Sequence, residues 1–421
     1  MSYVVAIRTF SLKRLHLFDV FWERGFLLLL LSTILAEIAG NSVYVILLEK
    51  AYQLGRATAV GGVLLLQAIP QVLLGLWAGS LVDRLGKRRA AILATVVQTA
   101  LVIGLLHGQT ISIVYALAFL IMLARLVLIP ARLALASATS SKETLVAANT
   151  SISFVTSLGL IIGPALSAAL MLQTNDFQTA LLLAGSGLLL SGLPLLFMPE
   201  PTKRTQEEPA TIWKEIRAGW QFIRQHSPIR RVLSCLVHIT LIMGAIMPLI
   251  TPLAHDLGLG FEGSGIFFAA VGLGGLVGAV IAVVQARWQT PSTIILLAGL
   301  LMPIGALFIG LLDTLEFILV AIGLIHVAEA SLSIIVITIL QRLTPLKMQG
   351  YVFGVVQALL GITWIISLAI ITGSTALWPQ AGNTQNVFLL IGGIGIVTIL
   401  ACWFWYQRQV WAWTSSRLSG A

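Results

Sequence analysis

Five ionisable residues interrupt long apolar stretches of the chain: Glu37, Arg125, His238, His326 and Glu329. A charge near the middle of a bilayer costs at least ~2.5 kcal/mol, so each is expected to face an interior and to have a partner or a task. Glu37 heads a polar stripe. Asn41 follows at i+4 and Tyr44 at i+7, on one face of a helix otherwise rich in Leu and Ile. Counted from residue 26, Glu37 lies roughly 16 Å deep at about 1.5 Å per residue. A carboxyl there can carry a proton, so Glu37 and Asn41 are candidate proton-coupling or substrate-cavity residues. A structural hydrogen bond to another helix fits the same position. His326 and Glu329 are one turn apart on one helix face. Imidazole titrates near about pH 6.5, so the two read either as a proton relay or as a neutralised pair that locks packing. His238 reads as a helix-contact residue, with a gate as the other possibility.

Other chemistry finds no residues to carry it. No phosphate-binding Gly-x-x-x-x-Gly-Lys-Ser/Thr loop is present, and no His, Cys and carboxylate residues stand at metal-ligand spacing. Neither an enzyme site nor a cofactor is therefore expected. Cys235 and Cys402 both fall in apolar runs and read as small buried hydrophobes.

The elements that must position these groups are set by composition. Of 421 residues, 58% are hydrophobic and 10% charged, against about 25% charged in a typical soluble chain. Mean hydropathy is +0.98. Charged and turn-forming clusters separate twelve apolar runs: 26–48, 60–82, 90–107, 112–131, 148–171, 178–198, 232–253, 264–285, 293–312, 317–340, 351–373 and 385–406. Each is about as long as a helix crossing ~30 Å of hydrocarbon needs to be. With the N-terminus inside, 22 of the 25 Lys and Arg residues lie on the cytoplasmic side, as positive-inside insertion demands. The net charge of +9 is thus a topology signal and not a nucleic-acid footprint.

The expected organisation is an interfacial segment over 1–25, a six-helix bundle over 26–198 and a cytoplasmic linker over 199–231. A second bundle over 232–406 and a cytoplasmic tail over 407–421 complete it. The linker's Ile212, Trp213, Ile216, Trp220, Phe222 and Ile223 are spaced as one apolar helix face. The halves look like repeats: Thr139–Lys142 leads into Asn149, and Gln341–Pro345 leads into Tyr351, each before the fifth span of its half. Parallel six-helix repeats suit a two-bundle rocking transporter.

The loop after the second run contains Gly79, Asp83, Arg84, Gly86, Lys87, Arg88 and Arg89 in the order Gly-x-x-x-Asp-Arg-x-Gly-Lys-Arg-Arg. Gly79 permits close helix approach and Gly86 a tight turn. The basic cluster suits an anionic membrane surface. In this position the motif resembles the signature loop of the major facilitator superfamily; its second-half counterpart, around Gln285 and Arg287, is eroded. The resemblance implies an all-α integral membrane fold of twelve helices in two bundles. It also implies alternating access around a midplane cavity walled by the first, fourth, seventh and tenth spans. Asp83, Arg84 and Arg88 would form a cytoplasmic latch, with Arg125 able to reach Asp83.

Gly159, Gly163 and Pro164 are similar to the core of the superfamily's antiporter motif, with Ser167 and Ala168 where a Gly pair is usual. Small residues that simply let helices pack fit these positions equally. Pro130-Ala131-Arg132 followed by Leu145, Ala148 and Asn149 resembles the macrolide-efflux and siderophore-export branch. So does Glu215 with Ala218-Gly219-Trp220 and Phe222-Ile223.

The expectation is a monomeric, multi-pass transporter of the plasma or bacterial inner membrane. It would export hydrophobic or amphipathic small molecules, of drug or siderophore type, in exchange for protons. The rivals are a lysophospholipid flippase or nutrient symporter of the same fold, a membrane-embedded enzyme and a non-transporting sensor.

Overall fold

The computed structural model describes residues 23–139, 145–174, 176–198, 212–285, 292–377 and 384–418, and among them every regular element is helical. In hydrocarbon each backbone N–H needs a partner within its own segment, which a helix supplies and an open strand does not.

The first helix, α1 (Arg24–Leu85), is 62 residues long and breaks at Gly55–Arg56 into two arms. At about 1.5 Å per residue it measures roughly 90 Å, enough for two crossings. It is followed by α2 (Lys87–Gly104), α3 (Ile111–Thr139), α4 (Leu145–Thr174) and α5 (Phe177–Leu196). The short α6 (Ile212–Gln225) precedes α7 (Ser227–Ile246), which continues through a 3-10 turn into α8 (Ile250–Asp256). Then come α9 (Gly260–Gln285), α10 (Ser292–Leu311), α11 (Leu315–Leu343), α12 (Leu346–Leu377) and α13 (Thr384–Leu418). Ten described helices are long and apolar enough to cross a membrane, α7 and α8 counting as one. The second arm of α1 and the shorter apolar α10 bring the crossings to twelve.

Several helices outrun the apolar runs. Helix α3 continues to Thr139, eight residues past the expected end at 131, and α13 runs on to Leu418 through the expected tail. Hydrophobicity marks where lipid ends, whereas a helix continues for as long as its backbone bonds and neighbours sustain it. The interfacial helix expected within 1–25 and the linker's first part, 199–211, lie almost entirely outside the described residues. Helix α6 falls on the amphipathic stretch of the linker and packs on α12, with Gly219 against the Tyr351 carbonyl.

Helix α4 has the most consequential packing. A methyl group at Gly159 would sit 2.6 Å from Glu37 Cβ, and one at Gly163 only 2.6 Å from the Ile38 carbonyl oxygen. Two bare glycines one turn apart therefore let α4 lie flush against α1. On its other flank, the backbone of α9 at Gly272 covers the Leu160 carbonyl, and Gly265 meets Pro164 and Ala168. Pro164 has no N–H to offer Leu160, so that carbonyl is the one left over in α4. Close approach of a glycine backbone shields it. Helix α4 thus joins the first six crossings to the last six, and the second arm of α1 does the same against α12.

The apolar cores show which end of the molecule is shut. Away from the basic loops, one continuous core combines Ile46–Leu48 of α1 with Ile246–Ala254, Phe267 and Phe388 of the last six crossings. At the basic-loop end, among the described residues, each core stays within one half, and besides a small one at Phe26 and Ala148 there are two. One, in the first half, is built from Leu29, Val82, Leu128, Leu135 and Leu195; the other gathers Ile223, Leu233, Leu340 and Val352.

Gly163→Ala should lower stability by about 1–3 kcal/mol, since its new methyl meets backbone that has no room to yield. Gly393→Ala, where nothing lies within 4 Å of the new methyl, is the matched control. Thermal unfolding of the two detergent-purified variants makes the comparison.

Candidate functional site

Glu37 is placed by the middle of the first arm of α1, and its partner is Arg132 of α3. Arg132 Nη1 donates to Glu37 Oε1 at 3.3 Å, with the two side chains 9% and 17% exposed respectively. The contact is single and long, unlike the bidentate fork that a guanidinium and a carboxylate form at about 2.8 Å. Nε and Nη2 of Arg132 are buried and have no hydrogen-bond partner. Arg125 lies two turns before Arg132 and is within Coulombic reach of both Arg132 and Tyr44. The cluster therefore holds two guanidinium groups against one carboxylate. Gly159 and Gly163 pack directly behind Glu37 and Asn41, so α4 forms the back wall of this site.

Sequence reasoning placed Arg132 in a basic loop, and the length of α3 corrects that placement. A signal was present: Arg125 and Arg132 stand at i and i+7, hence on one helix face. Asn41 does not reach the Glu37 carboxylate. Its amide donates to the Glu37 backbone carbonyl at 2.7 Å, one turn back along its own helix.

The His326–Glu329 pair does not form either. Glu329 Oε1 accepts from Ser333 Oγ at 3.2 Å, while His326 is buried with Nδ1 lacking a partner. The i+3 spacing puts both on α11, but the chains diverge. His326 lies under the close approach of Gly274 from α9. His238 is half-buried, with Nε2 lacking a partner.

The signature loop is partly described. Gly86 takes φ of +86° and makes the tight turn between α1 and α2. Arg88 donates through Nε to the Leu195 carbonyl at 3.0 Å and through Nη2 to Leu196 at 2.6 Å. It thereby satisfies carbonyls that end α5, a contact within the first half. Arg84 is exposed. The side chains of Asp83 and Asn149, and the packing at Gly79, lie outside what is described.

A second polar cluster escaped sequence reasoning. Glu49, 1% exposed, accepts from His255 Nε2 at 2.9 Å to both of its oxygens. Tyr52 stacks on the His255 ring at 4.0 Å, and Gln53 donates to the same carboxylate at 3.3 Å. Glu49 belongs to α1 and His255 to α8, so this cluster fastens the two halves at the shut end. Beside it, the hydroxyls of Thr58 and Thr375 are 3.5 Å apart, and Tyr44 meets Phe268 edge-on at 5.6 Å. The sequence gives no hint of the pairing: Glu49 closes an apolar run beside Lys50, and its partner is 206 residues away.

The family model of the Major Facilitator Superfamily matches residues 29–368. The chain belongs to that superfamily. It is accordingly a multi-pass membrane protein of the secondary-transporter class, and transport, not enzymatic turnover, is the family's activity. The enterobactin exporter EntS of Shigella flexneri is 28% identical over 278 residues, a match covering 65% of each chain. EntS of Escherichia coli strain HS gives the same values. The match thus spans a little under two thirds of these curated relatives' length. The fold is shared with the nucleoside transporter NupG at a TM-score of 0.73 and 12% identity, over 90% of this chain and 98% of that one. A bacterial homolog of the human lysosomal transporter Spinster, inward-facing and unoccupied, has a TM-score of 0.66 at 11% identity, with coverage of 92% and 97%.

Removing one member of a buried ion pair strands the other, at a cost of about 3 kcal/mol. Glu37→Gln and Arg132→Gln should each lower stability on that scale, and the double variant by clearly less than their sum. Thermal unfolding of all three purified variants provides the test.

Proposed function

We propose that this protein is a proton-coupled exporter of hydrophobic or amphipathic small molecules, of drug or siderophore type, working by alternating access as a monomer in the cell membrane. Two six-helix bundles, 26–198 and 232–406, rock against each other about the 199–231 linker. Both termini are cytoplasmic, following the distribution of Lys and Arg. On that orientation the basic-loop end faces the cytoplasm, and the state described is shut outwards and parted inwards.

The observation that carries the reading is the Glu37–Arg132 contact. A carboxylate joined to a buried guanidinium by one 3.3 Å contact, with two guanidinium nitrogens unpartnered, is easily exchanged. Ionised Glu37 keeps acceptor capacity beyond that one contact, which donor groups on the cargo can take up. Protonation of Glu37 removes its charge and expels the cargo, and loss of the proton restores the acceptor. Cargo and proton thus compete for one carboxylate, which is what exchange requires. The EntS relatives, exporters by name, support the outward direction. The Glu49–His255 cluster serves as the outer gate, because it is a polar fastening that both halves share.

Dye efflux from cells lacking their own pumps tests the reading. Wild type should extrude the dye, and either a protonophore or Glu37→Gln should reduce efflux to the level of cells without the protein. Efflux by Glu37→Gln at the wild-type rate would contradict the coupling role.

A further inference from the structure

At the shut end, a cleft of about 980 Å³ runs between α7, α12 and α13, with Arg56 and Thr58 of α1 at its rim. Its size is at the upper end of the ~300–1,000 Å³ usual for small-molecule sites. Three of its wall residues, Ile370, Leu390 and Ile394, are 62%, 64% and 63% exposed. They sit on membrane-crossing helices, so their exposure is to hydrocarbon and the cleft opens sideways into lipid. From Thr384 at the rim to Thr398 at the inner end is roughly 21 Å along α13 at about 1.5 Å per residue. The cavity is therefore a groove along the membrane normal, mostly apolar, with His238, Ser367 and Thr398 as polar groups at its inner end.

The rim carries the chemistry. Arg56, from the break in α1, and Asp256, from the end of α8, both line the cleft and both are exposed. Among the described residues the two do not pair with each other. Arg56 lies over the Tyr52 ring at 5.6 Å, and Asp256 accepts from the Thr384 N–H at 2.8 Å and from its hydroxyl. Arg56 has φ of +55°, the one positive value at a non-glycine residue among those described. Such a backbone costs energy unless its surroundings fix it, so the point from which the Arg56 side chain leaves is fixed at the rim. One cation and one anion at the same rim that do not neutralise each other are complementary to a zwitterion. An anionic ligand would meet Asp256 as well as Arg56.

We infer that this groove binds a zwitterionic phospholipid of the surrounding bilayer, with its phosphate on Arg56, its ammonium on Asp256 and an acyl chain along Ile370, Leu390 and Ile394. Arg56 belongs to the first six crossings and Asp256 to the last six, so the headgroup bridges the seam that Thr58 and Thr375 also close. The lipid thereby favours the shut-end state, whichever solute the protein carries.

Native mass spectrometry of the detergent-purified full chain tests this with phosphatidylethanolamine and phosphatidylglycerol of identical acyl chains. The ethanolamine lipid should be retained about three- to fivefold more, the scale of one exposed charge pair. Asp256→Asn should level that preference, Arg56→Gln should lower retention of both lipids without levelling it, and Ile394→Trp, which fills the groove, should also reduce retention of both. These positions are exposed, and unchanged unfolding midpoints would show that the variants are intact. Equal retention of both lipids by wild type would mean annular lipid only. Either that, or a glycerol-lipid preference, or indifference to Asp256→Asn, would overturn the proposal. None of these readings involves a gradient or a cargo, so they are independent of the export mechanism.

Discussion

Glu37 and Arg132 meet largely out of water, and the surrounding architecture follows from keeping them together. A buried charge in hydrocarbon is tolerated only beside its opposite, so α1 and α3 must cross at this level. The carboxylate side of α1 must also be closed off from lipid. Helix α4 does so, because Gly159 and Gly163 remove the side chains that would hold it away. The same helix then presents Leu160 and Pro164 to α9 of the other half. A change in the state of one carboxyl is therefore one helix away from the interface between halves. This is a physical adjacency between the carboxyl and the seam.

The halves themselves are joined asymmetrically. A shared apolar core, the Glu49–His255 cluster and the Thr58–Thr375 contact close one end, while each half keeps its own core at the other. Two independently packed ends can move apart without exposing either interior. The shared end has to give up apolar contacts and a buried carboxylate's partner in order to open. Opening there thus needs a compensating interaction, whereas the separate cores set no such requirement at the basic-loop end. Gly86, at φ +86°, and Arg88, bonded to the end of α5, tie the signature loop to its own half.

Much of this was legible in the sequence because hydrocarbon imposes long-wavelength rules. Twelve runs, the side bearing Lys and Arg, the signature loop and the exceptional position of Glu37 all follow from the solvent that each segment meets. Pairings were less legible. Helix α3 outran its apolar run, which hid Arg132 among apparent loop residues even though its i+7 relation to Arg125 was on view. His326 and Glu329 share a helix, yet rotamers and the glycine surface of α9 sent them to different surroundings. Glu49 and His255 sit at the ends of their spans, where charge is ordinary, and only the three-dimensional fold brings them together. Asn41 was close enough to read, but its amide bonded back to the Glu37 carbonyl of its own helix, a local bond that outcompetes longer ones.

The central claim is that the shut end must part in every transport cycle. Thr58→Cys with Thr375→Cys, in a chain whose Cys235 and Cys402 are replaced by Ser, tests it directly, because the two hydroxyls are 3.5 Å apart and a disulfide needs Cβ atoms within about 4.5 Å. The account predicts that oxidation cross-links the pair and halts transport, and that reduction restores it. A cross-linked chain that transports as fast as the reduced one would contradict the account.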